Sequence, residues 1–159
     1  MITVSDSSPI IALSRINKLN LLQSLYKEIL IPEAVAKEVF SSASGKRIAL
    51  NKLPWIKIKS LSQPLSANVL SLTLGQGESE AIALALELKA NLIILDELAA
   101  RNIVVMFGLK FTGTLGILLK AKEKHLLLSV KECLDNLIKH EFRLSASLYN
   151  DILELAGEK

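Results

Sequence analysis

Thiol chemistry is nearly absent from this chain: it has one cysteine, Cys133, in 159 residues. No internal disulfide can form, which fits a reducing compartment. Histidine is scarce too. His125 and His140 stand near expected helix ends, without metal-ligand spacing to Cys133, which speaks against zinc. Aromatic residues make up 4% of the chain. No apolar run reaches about 18 residues without a charge, so a membrane-spanning helix is not expected. The opening MITVSDSS lacks a basic leader and carries an acid at position 6, unlike a secretory signal. A cytoplasmic location follows as the expectation. Repeats, low-complexity tracts and long linkers are missing as well, so one domain over 1–159 is expected, with 129–159 as a helical tail.

Half of the residues are hydrophobic and the mean hydropathy is +0.39, enough to fill a core and to suggest a subunit interface. The net charge of +3 is compatible with nucleic acid without identifying it.

Short β-branched runs alternate with helical patterns. Strands are expected at 2–5, 28–31, 55–59, 91–95 and 109–113. Helices are expected at 9–25 (broken near Asn17), from Pro32 on, and at 66–74, 75–90, 97–108, 114–125, 129–141 and 146–156. Pro32 suits a first helical turn. Gly75, Gly77 and Gly108 mark helix boundaries. The alternation implies an α/β fold, a mostly parallel sheet between two helical layers. Such sheets bind ligands at the carboxyl ends of their strands.

Acids stand at that edge. Asp6 follows the first strand and Asp96 the fourth. Glu38 lies in the helix that leaves the second strand, and Glu78 and Glu80 open the long helix. Carboxylates gathered there repel one another unless a cation neutralises them, and Mg²⁺ or Mn²⁺ takes such oxygen donors. Each acid also has an ordinary explanation. Asp6 could cap the helix that starts near Pro9, although Ser7 or Ser8 could do that instead. Glu78 and Glu80 suit the helix dipole in a first turn. Because i and i+2 do not share a helix face, both can reach one metal only if Glu78 sits at the helix start. Otherwise Glu80 is the better ligand. Asp96 could cap the helix it precedes, and Glu38 alone reads as a solvated surface residue.

Other patterns carry less. GQGESE has Glu80 where a dinucleotide fingerprint needs glycine. GKR at 45–47 lacks P-loop spacing. TGTLG at 112–116 reads as a tight turn or as a phosphate cradle. Trp55 reads as edge-strand packing or a base-stacking platform, and Cys133 as core.

The ordered set of segments resembles the PIN-domain nucleases, in a compact prokaryotic branch related to VapC-type toxins. VSDSSPIIALSRINKLNLL resembles the opening strand with its acid. ILIPEAVAKEVF, GQGESEAIALALE and LIILDELAARNIV resemble the segments with the second, third and fourth acids. FTGTLGILLKAKEKHLL resembles the branch's last strand and helix. The resemblance implies a three-layer α/β/α sandwich and a Mg²⁺- or Mn²⁺-dependent endoribonuclease. It implies Asp6, Glu38, Glu80 and Asp96 as the catalytic and metal-holding quartet, with Glu78 as a further metal ligand. Ser8 would be an auxiliary hydroxyl near the first acid. Many relatives carry two consecutive Asp residues at the fourth position, where this chain has Asp96 and Glu97, so Glu97 stays outside the set. RNA would be held by Arg101 and by Lys46 and Arg47, with Lys57 and Lys59 as weaker candidates. The family also implies a small antitoxin partner, a homodimer and no membrane association. Two other readings stand beside it: a PIN-like module that binds RNA or protein without catalysis, and a phosphatase-like hydrolase with Asp6 as nucleophile. The second usually wants an Asp two residues on, where Ser8 stands.

Overall fold

The computed structural model describes residues 1–42 and 48–159. Five parallel strands form one sheet: β1 (Thr3–Ser5), β2 (Ile29–Ile31), β3 (Ile56–Ile58), β4 (Leu92–Ile94) and β5 (Phe111–Thr112), in the order β3-β2-β1-β4-β5. The inner strands β2 and β4 are wholly aliphatic, and β1 sets Val4 between Thr3 and Ser5. Val4, Ile29, Ile31, Ile93 and Ile94 are completely buried, as strands covered on both faces require. At one edge β3 buries Ile56 and exposes Lys57 and Ile58, and the cation makes that edge a poor template for another strand.

The helices are α1 (Ser7–Arg15), α2 (Asn20–Tyr26), α3 (Glu33–Ser41), α4 (Pro64–Leu70), α5 (Gln76–Glu87), α6 (Leu98–Met106), α7 (Thr114–Glu123), α8 (Val130–Lys139) and α9 (Ala146–Leu155). One group packs α3 and α4 against α5; the other gathers α2, α8 and α9 around α7, and α1 touches both α3 and α7. This is the expected three-layer α/β/α architecture. The expected break near Asn17 is real: α1 ends at Arg15, and Asn17 turns the chain at φ 57° before α2 begins. The helix at 75–90 ends earlier than its apolar pattern. Lys89 is not in its last turn but beyond it, at φ 50°.

The topology fixes where chemistry can occur. From β1 the chain winds outward through β2 and β3, then crosses back to β4 on the other side of β1. The reversal opens a crevice between the carboxyl ends of β1 and β4. Ser5 pairs with Ile94, and the Asp6 amide donates to the Ile94 carbonyl at 2.9 Å. Asp6 and Asp96 therefore leave the sheet side by side.

Candidate active site

Asp6 occupies the N-cap position of α1, with φ −77° and ψ 170°, yet its side chain makes no capping bond. It is 1% exposed, and its Oδ1 has no hydrogen-bond partner among the described residues. Burial raises its pKa to about 7; the Ser7 N–H opposes the rise, and the negative charges of Glu78, Glu38 and Asp96 add to it. Those three acids come from three other segments of the chain.

Glu38 is held from two directions. Ser7 Oγ donates to its Oε2 at 2.6 Å, and the Gly77 amide donates to its Oε1 at 3.0 Å. A Cβ at position 77 would overlap the Glu38 carboxylate, so any side chain there would have to push that carboxylate out of its place. The second glycine of GQGES is thus a seat for Glu38, which brings α3 and α5 together at the crevice.

Glu78 and Glu80 divide their work. The Gly75 amide donates to Glu78 Oε1 at 3.3 Å, while Glu78 Oε2 is buried with no partner among the described residues. Burial raises the Glu78 pKa, the Gly75 N–H opposes this, and the charges of Glu97 and Glu38 add to it. Glu80 is directed elsewhere. Its Oε1 accepts from the Ala34 amide at 3.1 Å, and its Oε2 accepts from Gln76 Nε2 at 3.2 Å. The reason lies in α3, whose N-cap is Pro32, a residue without an acceptor side chain. A first-turn amide needs an acceptor, and Glu80 supplies it from the neighbouring helix. Glu80 is thus occupied at the start of α3, whereas Glu78 keeps one oxygen without a partner among the described residues.

Asp96 is the most firmly oriented acid. The Thr114 amide donates to Oδ1 at 2.8 Å and Thr114 Oγ1 to Oδ2 at 2.7 Å. Thr114 is fully buried at the start of α7, so a helix N-terminus faces the carboxylate. Arg101 Nη2 lies 3.8 Å from Asp96 Oδ1. Its guanidinium also donates to the Leu95 carbonyl and sits 5.2 Å from the Phe111 ring centre. Gly113 admits no side chain, since a Cβ would meet Arg101 and Asp96. TGTLG is thus a tight turn whose first helical residue binds a protein carboxylate.

The other sequence candidates fall in different places. Ser8 is exposed, and Ser7 rather than Ser8 bonds an acid. Lys46 and Arg47 lie outside the described residues. Lys57 pairs with Glu28 at 2.7 Å on the outer strand β3. Trp55 is buried in the core and lines a cavity of about 860 Å³ that contains none of the acids. A smaller cleft of about 480 Å³ reaches one of them, Asp96, together with its neighbour Glu97. Chemistry decides between the two, and the smaller one is the candidate site. Sequence reasoning missed Ser7, Gly77 and Thr114 as partners of the acids. Their only signal was their position next to Asp6, next to Glu78 and at the start of a helix.

The donor set suits a hard divalent cation. All its atoms are carboxylate oxygens, and two of them, on Asp6 and Glu78, are buried without partners among the described residues. Among the described residues, no three acids, histidines or cysteines already converge as an ion-binding group. An ion would therefore have to draw these side chains inward.

No curated protein and no solved structure matches the chain significantly. A family profile described as "PIN domain" matches residues 2–158, nearly the whole chain, and the chain belongs to the PIN-domain family.

Proposed function

We propose that this protein is a Mg²⁺- or Mn²⁺-dependent endoribonuclease whose working acids are Asp6, Glu38, Glu78 and Asp96. PIN domains are generally nucleases, and no described helix is long and apolar enough to cross a membrane. The observation that carries the reading is Asp6. A buried carboxylate with an unpartnered oxygen, in the field of three other negative charges, is costly to a fold unless it serves a ligand.

A bound divalent cation would neutralise the four acids, polarise the phosphodiester and make water nucleophilic near neutral pH. The protein's part is orientation. Thr114 presents Asp96 with both oxygens hydrogen-bonded, so the carboxylate cannot rotate away. Ser7 and Gly77 hold Glu38 in the same manner. Gly75 anchors one oxygen of Glu78 and leaves the other available. Without a cation, Asp6 keeps a proton up to about neutral pH, which limits the mutual repulsion of the acids. Arg101, fixed against the Leu95 carbonyl and Phe111, supplies a cation at the rim for the scissile strand. RNA is the substrate, a small antitoxin the proposed partner, and a homodimer the proposed assembly. Exposed Phe40, Leu65, Val69 and Leu72 are apolar surface that such partners could cover.

Cleavage of defined RNAs with Mn²⁺, with Mg²⁺ and with chelator tests the proposal. Asp6→Asn and Asp96→Asn should each lose at least about 100-fold in rate while circular dichroism stays unchanged. Unaltered cleavage in both variants would overturn it. The second reading is a binding module without catalysis, and what favours it is the spread of the acids, no three of which converge among the described residues. RNA binding with no cleavage in either metal is its signature.

A further inference from the structure

The 480 Å³ cleft beside the acids has features that the hydrolytic chemistry alone leaves unused. It is lined by Asp96, Glu97 and Arg101 and by the connection between α8 and α9. That connection is built in a specific way. Helix α8 stops in a Schellman arrangement: the Glu141 amide donates to the Ile138 carbonyl at 3.1 Å and the Phe142 amide to the Leu137 carbonyl at 3.0 Å. Glu141 takes the left-handed conformation this turn needs, at φ 67°. The turn reverses the chain, so that Phe142 packs against the core and lines the cleft together with Leu137. A second tie holds the turn in place, because Arg15 Nη1 at the end of α1 donates to the His140 carbonyl at 3.3 Å.

The cleft thus has an aromatic side chain on an apolar floor that includes Ile11 and Leu115, and arginines from three elements at its rim: Arg15, Arg101 and Arg143. Arg143 is exposed and makes no hydrogen bond or ion pair among the described residues. Its volume lies in the range of small-ligand sites, roughly 300–1,000 Å³, and it is large enough for one nucleotide. Apolar and aromatic surface for a base, guanidinium groups for phosphates, and one of the working acids, Asp96, occur together in this lining.

We propose that this cleft is a subsite for one unpaired nucleotide flanking the scissile phosphate, with the base against Phe142 and the adjoining phosphate on Arg143. The proposal rests on the ribonuclease reading above. A base can enter the cleft only if it is free of a partner strand, so a duplex cannot occupy the subsite. Arg101 sits between the subsite and Asp96, and holds the strand where the two meet.

The test uses binding and cleavage together. Affinity is measured with a short fluorescent oligouridylate and the Asp6→Asn protein in Mg²⁺, alone and combined with Phe142→Leu or Arg143→Gln. Leucine keeps most of the packing at position 142, and Arg143 is exposed, so both variants retain the fold. Each should weaken binding by on the order of tenfold. In the otherwise unaltered enzyme each should raise KM by a similar factor with little change in kcat, and a duplex of the same strand should not compete. Unchanged affinity in both variants, or competition by the duplex equal to that of the single strand, would overturn the subsite. The two readings separate cleanly. Cleavage by the unaltered enzyme with normal binding in the variants removes the subsite and leaves the nuclease. Binding that falls in the variants, with no cleavage by the unaltered enzyme, does the reverse.

Discussion

Replacing Asp6 by asparagine should make the metal-free protein more stable, and only at neutral and higher pH. The carboxyl titrates near pH 7 in the fold against about 3.8 in an unperturbed chain. Below the lower value both folded and unfolded forms carry the proton, and Asp6 costs nothing. Between the two values the folded protein holds a proton that the unfolded chain has released, so stability falls as pH rises. Above pH 7 both forms are ionised and the full difference remains, roughly 4 kcal/mol. Asparagine keeps the shape and removes the charge at every pH. It leaves a polar amide where Oδ1 has no partner, which returns about 1 kcal/mol of the gain. The net stabilisation at pH 8 is then about 2–3 kcal/mol, or roughly 5–10 °C in Tm for a domain of this size. At pH 5 the two effects nearly cancel. Thermal unfolding in EDTA at pH 5 and pH 8 measures both values. A gain of equal size at the two pH values, or a less stable variant at pH 8, would refute the reasoning. Excess Mn²⁺ at pH 8 should raise the Tm of the parent chain more than that of the variant, since binding to the folded state adds stability by mass action.

Three further substitutions test the surroundings of the acids. Gly77→Ala should drive a methyl group into the Glu38 carboxylate, cost about 1–3 kcal/mol in denaturant unfolding, and lower RNA cleavage at least tenfold. Glu78→Gln should abolish cleavage, whereas Glu80→Ala, which takes the acceptor from the Ala34 amide, should keep it and lose about 1 kcal/mol of stability at the start of α3; equal activity in the two variants would contradict the division of roles. Thr114→Val should leave Asp96 Oδ2 without its donor and reduce kcat/KM by about tenfold, with Thr114→Ser restoring most of it; loss in both variants would point to packing instead.

What could be read without coordinates was whatever depends on neighbours along the chain. The aliphatic runs at 29–31 and 92–94 lie between helical patterns with proline and glycine at their ends, and they form strands of a parallel sheet, as expected. Asn17 broke the first helix because a residue with a short polar side chain tolerates positive φ. The acids at strand ends were visible for the same reason, since a strand end is a local feature. What could not be read was which of two close candidates faces inward. Ser7 and Ser8 are equivalent on paper. Only the position of α3 decides that Ser7 meets Glu38. Glu78 and Glu80 differ by half a turn, and their assignment depends on a need elsewhere: α3 begins at a proline that cannot cap it. Glu97 was set aside because of its length, yet its charge is felt by Glu78 across the crevice. Each of these depends on contacts between segments, and periodicity carries no information about them.

The same contacts explain how the fold tolerates a cluster of buried carboxylates. Helix α7 touches α1, α2, α8 and α9, so it is the centre of one helical layer. Its first residue, Thr114, orients Asp96. In its last turn, Lys122 donates to Glu158 at 3.1 Å. Glu158 in turn accepts from the Val130 and Lys131 amides and from Ser129 Oγ, capping α8 from the end of the chain. Helix α7 is ten residues long, so about 15 Å separates the clamp from the acid. A helix held at both ends cannot easily tilt, and tilt would be the simplest way for Asp96 to move away from Asp6 and relieve their repulsion. The residues after 123 therefore act on the site without touching its acids. They keep α7 in place, and α7 keeps the fourth carboxylate where electrostatics alone would not leave it.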